Sequence, residues 1–158
     1  MRLFVLRRNA LRGTYTLLLA CKMPFEVRIG KLGLTNIKRG TYLYTGSALG
    51  SGAVSLEQRI SRHRRRNKLV RWHVDYLTVR PEVIVEKVIY IESDKRLECH
   101  INQRIVSNLK AKPIIRRAGA SDCNCIGHLL SVKSHNPRAI ITRLKEIYSM
   151  HGDPLFLN

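Results

Sequence analysis

Four side chains of this sequence have types suited to acid–base and anion chemistry: Tyr15, Tyr44, Arg59 and Glu98. Each tyrosine stands two residues from a glycine, in "GTY" (Gly13–Tyr15) and in "YTG" (Tyr44–Gly46). A phenol has an ordinary pKa of about 10 and is protonated near neutral pH. A guanidinium or a metal ion close by favours the phenolate and makes it a usable general base. Arg59 lies one helical turn before His63, so the two share a helix face that can border a cleft. Glu98 falls one position from the apolar row of its own segment, at the rim of a core. A lone carboxylate there suits a hard cation that keeps most of its waters, such as Mg2+ or Mn2+. A cation, an arginine and an activated water are the parts that phosphodiester hydrolysis requires.

The second tyrosine sits in "TYLYTGSALGSG" (Thr41–Gly52), which runs from aromatic and β-branched residues into glycine and serine. Gly46, Ser47 and Gly50 let the backbone approach a phosphate closely. "RISRHRRRNK" follows, and Arg62, Arg64, Arg65, Arg66 and Lys68 form a strip expected to track phosphates without reading bases. Each residue also has a plainer reading. Strand tyrosines fill cores, an arginine can be one more solvated charge, and an acid in a first helical turn helps the helix dipole. Cys123, Cys125 and His128 carry two functional readings. They could ligate zinc, with a fourth ligand from His73, Cys99 or His100. Alternatively His128 lines a cleft with Ser121 and Asp122. Buried thiols and a satisfied histidine are the plain reading.

The elements that must position these groups follow from periodicity. "GTYTLLLAC" (Gly13–Cys21) reads as a core strand, "FEVRIGKLG" alternates Phe25, Val27 and Ile29 against polar residues, and "GTYLYTG" is a third strand. Turn residues between them suggest an antiparallel meander. Leu56, Ile60 and His63 then recur at helical spacing behind Ser55 as a cap. "WHVDYLTV" reads as a short helix, and Glu82–Glu92 as a strand opened by Pro81. Ser93 or Asp94 would cap a helix carrying Leu97, Ile101, Ile105 and Leu109. "IIRRAGASDCNCIG" is a loop and "HLLSVK" a short strand. A last helix starts at Asn136 and Pro137, buries Ile140, Ile141, Leu144, Ile147 and Tyr148, and stops at Gly152. The order is mixed, so the expected class is α+β: one domain over 1–158, with helices flanking a small, mainly antiparallel sheet.

The bulk numbers narrow the partners. Across 158 residues, Lys and Arg total 29 against 11 acids, a net charge of +18. A potential of that sign attracts polyanions, nucleic acid first among them. No apolar run approaches the roughly 18 residues a membrane span needs. "MRLFVLRRNALRG" has too short an apolar core for a secretory leader, so a cytoplasmic protein is expected. Four cysteines, Cys21, Cys99, Cys123 and Cys125, are then expected to stay reduced.

In this order the residues resemble the GIY-YIG nucleases, whose signature is two tripeptides on neighbouring strands, a helix arginine and a later metal-binding glutamate. "GTY" and "YTG" look like the tripeptides; Arg59 in "SLEQRISRH" and Glu98 in "RLECHINQRI" match the other two. A closer resemblance is to a compact archaeal and bacterial branch, sometimes fused to endonuclease III-type glycosylases. It is carried by "GSALG", "WHVDYL", Glu98-Cys99 and "GASDCNCIGHL" (Gly119–Leu130), over about residues 13–132. The resemblance implies a GIY-YIG-like fold and an endonuclease that hydrolyses DNA phosphodiesters, in repair of damaged or structured DNA. A tyrosine, with Tyr44 favoured, would be the base. Arg59 would stabilise the pentavalent charge, and Glu98 would hold Mg2+ or Mn2+. It also places His73 and Asp75 in the cleft. The sequence departs from the pattern in Thr14 and Thr45, where isoleucine is usual, and in the insert Lys22–Gly40 between the tripeptides. Two other readings stand beside the nuclease: a non-catalytic nucleic-acid module of the same fold, and a basic RNA-associated protein, which leaves Glu98 and both tyrosines without a role.

Overall fold

The computed structural model describes residues 10–134 and 136–158. Met1–Asn9, the greater part of the run weighed above as a secretory leader, lies outside them, as does His135. The chain forms β1 (Gly13–Cys21), β2 (Phe25–Arg28), β3 (Leu34–Ile37) and β4 (Gly40–Ala48). Then come α1 (Leu56–Arg64), α2 (Asp75–Thr78), β5 (Val83–Glu92), α3 (Glu98–Leu109), β6 (Lys112–Pro113), β7 (Leu129–Val132), α4 (Pro137–Ser149) and β8 (Leu155–Leu157). The class is α+β, as expected. Six strands pair antiparallel in the order β6-β7-β4-β1-β5-β8.

β1 is the centre because it can be buried on both sides. Tyr15, Leu17, Leu19 and Cys21 point to one face, Leu18 to the other, and all nine residues are buried. Its neighbour β4 runs in direct register, Tyr15 opposite Gly46 and Leu17 opposite Tyr44. The expected three-strand meander is therefore corrected. β2 and β3 pair only with each other, as a separate ribbon on the insert. The reason lies in their pattern: Phe25 and Val27 are half-buried while Glu26 and Arg28 are exposed. A strand with one polar face cannot sit beside β1 in the covered sheet.

The two faces carry different helices. Leu56 and Ile60 of α1, Leu77 of α2 and Val74 pack on the Tyr15–Leu17–Leu19 face. Ile101 and Ile105 of α3 and Ile140, Leu144 and Ile147 of α4 cover the Leu18 face. Each such fully buried aliphatic side chain stabilises by about 1.5–3 kcal/mol relative to exposure. Ser55 caps α1, its Oγ accepting from Gln58 N, and Asn136 caps α4, accepting from Arg138 and Ala139 N. α3 starts later than expected, with Leu97 at its cap. β5 uses the chain up to Glu92, Ser93 N still bonds Arg12 O, and Ser93 Oγ accepts from Lys95 N in a turn. α4 ends at Ser149, with Met150 as its cap rather than Gly152. β6 and β8 are two and three residues long, too short for any periodicity to reveal.

Neighbouring hydroxyls account for the two departures in the tripeptides, Thr14 and Thr45. Thr16 Oγ1 lies 2.8 Å from Thr45 Oγ1 and 2.7 Å from the Tyr148 hydroxyl, a buried chain beneath the helix. Thr14 Oγ1 meets Ser47 Oγ at 3.1 Å. The hydroxyls of Thr14 and Thr45, which stand where aliphatic residues would serve, are thus satisfied by Ser47 and Thr16.

Candidate active site and the adjoining cysteine–histidine cluster

The end of β4 is where the two faces meet. Ser47 N donates to Glu98 Oε2 at 2.9 Å, and Ser47 O accepts from Arg59 Nη1 at 2.8 Å. One residue therefore ties a guanidinium from α1 to a carboxylate from α3, although the helices lie on opposite sides of the sheet. Glu98 stands at the first position of α3, so a charge favoured by the helix dipole is also the one turned to the strand end. Arg59, Glu98 and Ser47 line a cavity of about 280 Å³ with Leu49, Gly50, Arg96 and Asp122. Arg96 bridges two carboxylates, bonding Glu98 Oε1 at 2.6 Å and also Asp122.

Tyr15 and Tyr44 lie under this cavity rather than on its wall. Tyr15 is fully buried, Tyr44 is 9% exposed, and their ring centroids are 6.3 Å apart. Gly46 has a different task from the one expected of it. A Cβ there would meet the Tyr15 hydroxyl oxygen at 2.8 Å, so the glycine makes room for the phenol. The phenolate expectation is also corrected. Burial pushes Tyr15 well above its ordinary value, Tyr44 adds to the rise, and Arg59 opposes it without prevailing. Tyr44 is raised by burial and by Glu98, again against Arg59. Both phenols are neutral near pH 7.

The Tyr15 hydroxyl meets His63 Nε2 at 2.7 Å. Burial, then the Lys68 charge, lowers His63 to about 3, with Asp75 opposing, so the ring is neutral. Nδ1 faces Asp75 Oδ1 at 4.0 Å, which favours a proton on Nδ1 and a Tyr15 O–H that donates to Nε2. Asp75 is fully buried. It accepts from Arg62 Nη1 at 2.8 and 2.9 Å and from Arg71 and Trp72 N, with Lys68 Nζ at 3.3 Å. Burial alone would raise its carboxyl, but these partners prevail and hold it at about 2.

The phosphate strip is corrected by the same contacts. Arg62 and Lys68 turn inward because a buried carboxylate demands countercharge, and Lys68 also bonds Thr78 Oγ1 and two backbone carbonyls. Arg62 stacks on Trp72, 4.3 Å from the ring centroid, with Arg59 at 5.2 Å. Arg64, Arg65 and Arg66 remain exposed. Among the residues expected to line the cleft, Asp122 does so. His63 and Asp75 are buried beneath it. His73 Nδ1 accepts from Gly119 N at 2.9 Å, Ser121 is exposed outside the lining, and His128 is buried elsewhere. Sequence reasoning missed Arg96, Leu49 and the stacking role of Trp72. Only Arg96 had a signal, an opposite charge two residues before Glu98.

Directly beside Glu98, Cys99 faces the other way. Its sulfur, those of Cys123 and Cys125 and a ring nitrogen of His128 all lie within 4.8 Å of one another. His73 and His100 are committed elsewhere, His73 to Gly119 and His100 to His151 at 5.0 Å between ring centroids. Burial and the neighbouring thiols of Cys125 and Cys123 push Cys99 up to about 12. This set could hold a metal ion, and its sulfur and imidazole donors suit zinc far better than Mg2+. Among the described residues, no helix is long and apolar enough to cross a membrane.

Comparison with curated proteins and with solved structures gives no match. One family model does match, over a span that takes in both tyrosines, Arg59, Glu98 and all four members of the cysteine–histidine set. The chain belongs to the family described as a domain of unknown function, DUF123, whose model matches residues 14–150.

Proposed function

We propose that this chain is a metal-dependent endonuclease of GIY-YIG type that hydrolyses DNA phosphodiester bonds, with damaged or structured DNA as its substrate. The observation that carries the reading is the Ser47 junction. A guanidinium and a carboxylate are held 2.8 and 2.9 Å from opposite ends of one residue, at the mouth of a polar cavity above two tyrosines. That is the pairing of charges a scissile phosphate needs: Arg59 for the anionic oxygens and Glu98 for a cation.

The donor set fits a hard divalent ion. Glu98 and Asp122 already converge on one cationic group, the guanidinium of Arg96, whose side chain is half-exposed. Their carboxylates would hold Mg2+ or Mn2+, which when bound supplies positive charge to the leaving oxygen. Tyr44, the less buried phenol, would orient an attacking water. Tyr15 is held against neutral His63, its O–H donating to Nε2 across 2.7 Å, which fixes the phenol beside Arg59. The net charge of +18 and exposed Arg64, Arg65 and Arg66 supply the attraction for the polyanion.

One observation favours a second reading, a nucleic-acid-binding module without catalysis. Both oxygens of Glu98 are engaged, by Arg96 and by Ser47 N. A cleavage assay separates the two. Wild type, Arg59→Ala and Glu98→Ala are incubated with plasmid, branched, abasic and RNA substrates, with Mg2+ or with EDTA. The nuclease reading expects metal-dependent nicking that each substitution reduces by roughly 10³-fold while binding persists. Wild type that binds these substrates and cuts none of them sinks the enzyme and leaves the module.

A further inference from the structure

We propose that Cys99, Cys123, Cys125 and His128 bind one zinc ion in a closed tetrahedral site that staples the loop before β7 to the first turn of α3. This goes beyond the nuclease reading and does not rest on it.

The four donor atoms lie within 4.8 Å of one another, and two of the distances match a ligand shell. A tetrahedron with Zn–S of about 2.3 Å and Zn–N of about 2.0–2.1 Å has edges of roughly 3.6–3.8 Å. His128 Nε2 lies 3.8 Å from Cys99 Sγ and 3.5 Å from Cys123 Sγ. The imidazole is set for coordination from behind. Its Nδ1 donates to Thr45 O at 3.1 Å, which leaves the Nε2 lone pair aimed at the sulfurs. The loop is braced as well. Arg117, held in the left-handed region at φ 71°, donates to Cys123 O and to Cys125 O. Asn102 Nδ2 donates to Gly127 O at 2.8 Å.

Four protein ligands leave no open position, so the role is structural rather than catalytic. Binding displaces the three thiol protons to solvent, and the site's remaining single negative charge lies near the Arg117 guanidinium. A staple suits this part of the chain, since residues 114–128 contain only turns and bends between β6 and β7. The ligands also border the cleft by sequence. Cys99 follows Glu98, Cys123 follows Asp122, and the carbonyl that orients His128 belongs to the residue after Tyr44.

The test is made on the full chain, purified without chelator from zinc-replete cells. Elemental analysis is expected to find about one zinc per chain. Cys99→Ser and His128→Asn should each fall below roughly a tenth of that, whereas Cys21→Ala, whose thiol lies in β1, should keep it. Removing zinc from the wild type should lower the thermal midpoint by at least about 5 °C, with recovery on adding it back. Should the variants fail to fold, cobalt added to the metal-free wild type is the second measurement. Thiolate-to-cobalt charge transfer with intense tetrahedral d–d bands is expected. Wild type that stays well below one zinc after reconstitution overturns the site, as does an octahedral cobalt spectrum. Unchanged zinc affinity in Cys99→Ser overturns this ligand set.

Discussion

Two polar regions share the first turn of α3, and they are built on opposite principles. On one side Glu98 joins Arg59, Tyr15, Tyr44, His63 and Asp75 in a network of charges and protons, open to water at its mouth. On the other, Cys99 joins two thiols and an imidazole in a compact set of soft donors. Adjacent residues in one helical turn point about 100° apart, so a single residue step serves two unlike sites. The first region is controlled by ionisation, because it is held by ion pairs among buried groups. The second, if it holds the proposed zinc, would answer to metal supply. The difference teaches that neighbouring positions need not share a function, even inside one short motif such as "EC".

That contrast can be broken by perturbing the charge network alone. The largest effect is expected from Asp75→Ala, which strands Arg62, Lys68 and His63 around an uncompensated site. A loss of about 3–5 kcal/mol is expected, read from urea unfolding, with metal content per folded chain unchanged. If metal content falls in step with stability, the two regions are one cooperative unit and the contrast fails. Acid is the next probe. His63 holds its proton far less readily in the folded chain than at its ordinary 6.5, so the unfolded chain takes up the extra proton as pH falls. Stability is complete above 6.5 and is lost towards 3, by about 3 kcal/mol between pH 7 and pH 4. Asp75, held at about 2 against an ordinary 3.8, adds its own loss below that range. Urea midpoints measured at pH 7, 5.5 and 4 check the slope, and His63→Phe should flatten it above pH 4.

The smallest effect sharpens the division within the basic run itself. Replacing Arg64, Arg65 and Arg66 together by Gln should leave the unfolding midpoint within about 0.5 kcal/mol of wild type. The same change should weaken binding of duplex DNA and reduce the slope of log K against log salt by about 3. Arg62→Gln should do the reverse, costing stability with little change in salt slope. Equal slopes in the two variants would show that the exposed arginines do not face nucleic acid.

Much of the architecture was legible because it rests on local patterns. β1, β5, α1 and α4 follow from β-branched runs, from helical spacing and from Ser55 and Asn136 as caps. The α3 start was missed because Ser93 is a good cap in isolation, whereas here its backbone continues the sheet through Arg12. The place of β2 and β3 was missed because alternation tells which faces are polar and not which strand is the neighbour. β8 is three residues long and depends on its partner β5 for existence.

The sequence by itself determined the α+β class, the strongly basic surface, the presence of Tyr15, Tyr44, Arg59 and Glu98 in that order, and the close spacing of Cys123, Cys125 and His128. Tertiary structure alone decided which of these meet. It joined Arg59 and Glu98 at Ser47, buried both phenols below the cavity, and drew Arg62 and Lys68 away from solvent to Asp75. It also selected Cys99 over His73 and His100. The physical reason is common to all four. Periodicity sets which way a side chain faces along its own element, but its ionisation, its partners and its access to solvent depend on what other segments bring within a few ångströms.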